Sequence, residues 1–114
     1  AESDAEARRL ATTQQMSFAD IFRGGGRLSK PPIDDIETYW SPMEKAQAQH
    51  MLSRSIIGSR ETVHAGLQAL IAETGADELM IVSDVFDHAK RLRSFEIIAE
   101  IGAELRSEAS AAFA

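Results

Sequence analysis

The chain has 114 residues, is 44% apolar and 26% charged, carries a formal net charge of −6 and contains no cysteine. That length suits one domain with a modest core, and the missing thiols exclude disulfides and thiolate metal sites, in keeping with a reducing cytoplasm. An acidic balance argues against nucleic-acid binding, which needs a basic face, and no apolar run approaches the roughly 20 residues of a membrane span.

Residues 1–23 read as one helix. Ala7, Leu10, Ala11, Phe18, Ile21 and Phe22 recur at the spacing of a single helix face, and Ser3 and Asp4 are suited to cap its start. Ala1 opens the chain without a Met and already in helical character, which suggests a processed or excised piece. Residues 24–41 form a Gly/Pro loop: Gly24 to Gly26 are costly to order, and Pro31 and Pro32 prevent a helix or central strand. A loop of that length is either functional or a plain connection, and the plain connection is preferred. Ser41 and Pro42 then open a helix over 42–54, with Glu44 in its first turn.

Residues 55–108 read as strand, helix, strand, helix. Ile56 and Ile57, β-branched and bounded by Ser and Gly, suggest a short strand over about 55–58. The helix that follows carries Val63, Gly66, Leu67, Leu70 and Ile71 on one stripe, with Ser59 as cap and Gly75 as stop. The unbroken apolar run Leu79–Val82 predicts a second strand over about 78–83, buried on both faces as in a parallel sheet. A last helix starts near Asp87 on a stripe that includes Leu92, Phe95, Ile98 and Leu105, and 109–114 reads as a frayed tail. The expected fold class is α/β, mostly helical, with two short parallel strands joined right-handedly. Two such strands leave faces and edges open, so the remaining partners are expected from an upstream segment or from another copy of the chain in a homo-oligomer.

The residues of this half also resemble the end of a family. Ile57, Gly58, Ser59, Glu61, Thr62 and Val63, then Thr74 to Met80, Phe86 to His88, Arg91 to Ser94, Glu96 and Ala99 match the motifs of the bacterial-luciferase-like, flavin-dependent monooxygenases. Arg60 stands where the family commonly has Pro, and Phe95 where it commonly has Tyr. The resemblance implies the C-terminal portion of a (β/α)8 TIM barrel, a fold of about 250 residues. The chain would then be a single C-terminal fragment of an enzyme that uses reduced FMN, or a related deazaflavin, and O2 to oxidise a small organic substrate. It would be inactive alone, because most flavin contacts would lie upstream.

Barrel sites gather at the C-terminal ends of strands. That rule singles out Ser83, Asp84, Phe86 and His88 as pocket rim, and Gly58, Ser59 and Arg60 at a helix start as a weak anion-binding site. Capping is the preferred role for Ser59 and Asp87, and a backbone-bonded ring in the first helical turn for His88. No catalytic residue is assigned. No His or carboxylate pair has metal-ligand spacing, so no metal is expected. Two alternatives remain: a non-catalytic oligomerisation or interaction domain that keeps the family's tail, and a small all-helical adaptor in which both apolar runs are something other than strands.

Overall fold

The computed structural model describes residues 1–25 and 28–112. Among the described residues there are four α-helices, α1 (Asp4–Phe22), α2 (Pro42–Met51), α3 (Arg60–Thr74) and α4 (His88–Ala112), with a 3-10 turn at Ile36–Thr38 before α2. They pair as α1 with α2 and α3 with α4.

Helices α1, α2 and α4 each start where a nearby side chain supplies a hydrogen-bond acceptor. The Ser3 hydroxyl accepts from the Glu6 amide at 3.1 Å, and the acids Asp4 and Glu6 sit at the positive end of α1. Ser41 and Glu44 form a reciprocal capping box at α2, with Pro42 in the first turn. Asp87 caps α4 through the Lys90 amide at 2.9 Å. Gly75 ends α3 in the left-handed region at φ +65°, a conformation that costs a glycine nothing.

The two pairs have separate cores. Ala19 of α1, Trp40 just before α2, and Ala48 of α2 form one, with Phe18, Ile36 and Tyr39 against it. Leu67 of α3 and Ile97 and Ile101 of α4 form the other, joined by Ile56, Leu79 and Ile81 from the connecting segments. A Cβ on Gly66 would lie 2.7 Å from the Ile56 Cγ2 atom, so the missing side chain there lets the link pack directly on α3.

The segment Leu28–Asp34 lies back along α1. Thr13 donates its hydroxyl to the Lys30 carbonyl at 2.7 Å, Thr12 accepts from the Ile33 amide at 2.9 Å, and Arg9 meets Asp34 at 2.8 Å. Both threonines are buried for this reason, while Ile21 and Phe22, expected on the inner stripe, are largely exposed. Gly24 and Gly25 begin this connection, and Gly26 lies outside the described residues.

The α/β expectation is overturned. Among the described residues there is no strand at 55–58, none at 78–83 and no sheet, so this is a small helical domain and not part of a TIM barrel with parallel strands. The physical reason is the absence of a hydrogen-bonded neighbour. Among the described residues, nothing hydrogen-bonds to the backbone of residues 78–84. A strand is defined by its ladder, and an apolar run alone does not make one. Residues 79–85 instead alternate: Leu79, Ile81, Ser83 and Val85 are half-buried, while Met80, Val82 and Asp84 face outwards. The all-helical alternative describes the architecture.

Candidate functional site

A cavity of about 420 Å³ lies between α1, α3, the start of α4 and the two connecting segments. Its size is within the range of small-molecule pockets, about 300–1,000 Å³. Its wall is mostly aliphatic, built from Leu10 of α1, Ile56, Leu67 and Leu70 of the α3 region, and Ile81 and Ile97. Polar groups gather on the side where Gln14 of α1 donates to Asp84 Oδ2 at 3.2 Å, beside Ser83.

The residues singled out from the sequence divide between this cavity and the surface. Gly58, Ser83 and Asp84 line the cavity, and Ser59, Arg60, Phe86 and His88 do not. Phe86 is exposed. His88 sits in the first turn of α4 with its Nδ1 2.8 Å from the Arg91 guanidinium, which also donates to the Val85 carbonyl at 3.3 Å. Arg91 therefore turns towards His88 rather than towards Asp87.

The start of α3 holds an anion, and the chain supplies it. The Asp4 carboxylate accepts from the Ser59 amide at 2.7 Å and from the Thr62 hydroxyl at 2.8 Å. Those bonds, with the Ser59 amide foremost, hold the Asp4 carboxyl below its usual range. Ser59 makes no side-chain cap of its own, so Asp4, which is also the first residue of α1, caps α3. Arg60 faces the opposite way and pairs with Glu100 and Glu104 of α4. A phosphate added here would meet the Asp4 carboxylate on the Ser59 amide, and Arg60, the nearest cation, is already paired with two carboxylates.

One polar cluster was not foreseen. Asp20 is only 6% exposed and sits on the inner face of α1. Lys30 donates to it at 3.0 Å, Tyr39 donates its hydroxyl to it, and Arg23 joins Glu44 and the Tyr39 carbonyl. The Tyr39 ring lies near both cations, its centroid 4.6 Å from Arg23 Cζ and 4.9 Å from Lys30 Nζ. Burial pushes the Asp20 carboxyl up, but the bonds from Tyr39 and Lys30, with the Lys30 and Arg23 charges, outweigh it and hold the group below its usual range. The signal in the sequence was an acid at the same helical face as Met16, which requires a cation to meet it. The cluster pins the Gly/Pro connection to α1 and does not line the cavity described above. Among the described residues, no group of three or more His, Asp or Glu is placed to hold a metal ion. No described helix is long and apolar enough to cross a membrane.

Comparison with known proteins bears on the resemblance. The resemblance to luciferase-like monooxygenases is shown: the chain is 39% identical over 105 residues, 92% of its length, to the luciferase-like monooxygenase of Escherichia coli (strain K12), covering 31% of that protein. It is also similar to the uncharacterized protein YvbT of Bacillus subtilis (strain 168), at 44% identity over 89% of this chain and 30% of that one. A more distant relative, the uncharacterized protein YddN of the same organism, is 28% identical over 92% of this chain and 31% of its own. The chain thus spans less than a third of the length of the curated relatives it matches. No family model matches it, and no solved structure does.

Proposed function

We propose that these residues work as part of a longer luciferase-like monooxygenase that uses reduced flavin and O2 to oxidise a small organic substrate. The observation that carries the reading is the 39% identity over 92% of the chain to a protein of that name. FMN is the proposed flavin, with a deazaflavin as the alternative. The oxygen chemistry would be the cofactor's, and the protein's part would be to position it and exclude water. Ser83 and Asp84, beside the cavity, are the proposed contribution of this chain to the pocket rim, and the cytoplasm is the proposed setting.

The 114 residues alone are proposed to be inactive, because most of the flavin contacts are expected in the rest of the longer protein and the Asp4 carboxylate already sits at the start of α3. Titration of the isolated chain with FMN, followed by flavin fluorescence, tests this. The expected result is no saturable binding, and tight one-to-one binding would overturn it. Oxygen consumption by the longer protein with reduced FMN or reduced deazaflavin tests the reaction and distinguishes the two cofactors.

A second reading is a non-catalytic oligomerisation domain derived from the same family. Its support is the outward-facing Met80 and Val82. Light scattering on the isolated chain separates them: a stable oligomer favours the second reading, and a monomer the first.

A further inference from the structure

We propose that the cavity between α1, α3 and the start of α4 is a binding site for an aliphatic primary amine. The apolar chain of the ligand lies against Leu10, Ile56, Leu67 and Leu70, and its ammonium head sits at Asp84. The inference narrows the organic substrate of the monooxygenase reading to one chemical class, and it rests on that reading only for the ligand's being the substrate. Two features of the cavity select the class. Its volume of about 420 Å³ and its aliphatic wall suit a hydrocarbon body, because each methylene taken out of water favours the bound state. Its acceptors, on Gln14, Ser83 and Asp84, meet at one side, so the matching ligand is polar at one end only.

Charge chooses the head group. Gln14 donates to one Asp84 oxygen at 3.2 Å, and among the described residues the other Asp84 oxygen, the Gln14 side-chain oxygen and the Ser83 hydroxyl have no partner. An alkylammonium carries three N–H donors and no acceptor, which complements a carboxylate, an amide oxygen and a hydroxyl. The cations at the wall are already engaged: Arg54 meets Glu73 at 2.7 Å, and the Ala1 amine meets the Gly58 carbonyl at 3.4 Å. A carboxylate ligand would have to displace Glu73 from Arg54 and would meet Asp84 as like charge, on a chain of net charge −6.

Calorimetric titration of the 114 residues with octylamine, octanol and octanoate, at neutral pH and low salt, tests the site. Octylamine is expected to bind about tenfold or more tightly than octanoate, the margin of a charge-assisted hydrogen bond, with octanol between them. Shortening the amine should weaken binding by about two- to fourfold for each methylene lost, which a surface ion pair alone would not do. D84N, at an exposed side chain outside both cores, should bring octylamine to the level of octanol, with circular dichroism confirming that the helices persist. Equal affinity for octylamine and octanoate overturns the proposal, and so does a preference for the amine that D84N leaves intact. The titration is repeated with the 114 residues joined in frame to the rest of the E. coli luciferase-like monooxygenase, in place of its matching third. Loss of amine binding there also overturns the proposal, because the cavity is then a gap that other polypeptide fills. Flavin-dependent oxygen consumption by the joined protein is recorded separately. Amine binding without turnover sustains the site and sinks the proposed reaction, whereas turnover without a preference for the amine head sustains the reaction and sinks the site.

Discussion

The α1–α2 half and the α3–α4 half hold their connecting segments in opposite ways. In the first, the Gly/Pro-rich connection is tied at nearly every step, by Thr12, Thr13 and Arg9 along α1 and by Asp20 and Arg23 at its end. In the second, the far more apolar segment 78–84 is held on one side only, with its backbone unpartnered among the described residues. Apolar content alone does not decide which connection is well held. What decides it is whether each polar backbone group meets a partner, and the threonines of α1 supply partners where α3 and α4 do not.

The largest effect is expected in the α3–α4 core. Ile101 is fully buried between Leu67 and Ile97, and Ile101→Ala should cost about 2–5 kcal/mol in a urea denaturation, since a buried aliphatic is lost and a cavity left. If the halves are as separate as their cores, helicity in α3 and α4 should fail first in residue-resolved exchange. Next comes the tied connection. Asp20→Ala leaves Lys30 and the Tyr39 hydroxyl without their shared acceptor and should cost about 1–3 kcal/mol by the same measurement. It should also speed exchange across 28–41, whereas Ile101→Ala should not.

A smaller effect separates the halves by pH. Arg23 and the Ser41 amide hold the Glu44 carboxyl at about 2, against 4.5 when unpaired. A depressed carboxylate stabilises the fold fully above pH 4.5 and progressively less as pH falls towards 2. Acid should therefore loosen the α1–α2 half through this group, and Glu44→Gln should flatten the dependence, as followed by Trp40 fluorescence. The smallest effect is expected at the exposed ladder between α3 and α4. Arg60→Ala, which removes the pairs with Glu100 and Glu104, should shift the urea midpoint by little more than the measurement error, because solvent screens exposed pairs.

What the sequence made legible follows the same division. Ser41, Pro42 and Glu44, Gly75, and Asp87 were readable because each acts on residues within one helical turn. Thr12, Thr13 and Asp20 were not, since their partners lie 10 to 21 residues away across a loop whose path no local pattern specifies. The run Leu79–Val82 was visible as apolar, but whether it pairs is a property of a neighbour and cannot be read from the run itself. At the site, Gly58, Ser83 and Asp84 do meet one cavity. Arg60 was drawn elsewhere by Glu100 and Glu104, contacts that depend on how α4 is rotated, and His88 by Arg91, one turn along the same helix.

Asp4 binds the beginnings of two helices that lie 55 residues apart into a single event. Unwinding the first turn of α1 withdraws the acceptor that holds the first turn of α3. Damage near residue 4 should therefore be felt near residue 60 before it is felt at residue 20, although residue 20 is much closer along the chain.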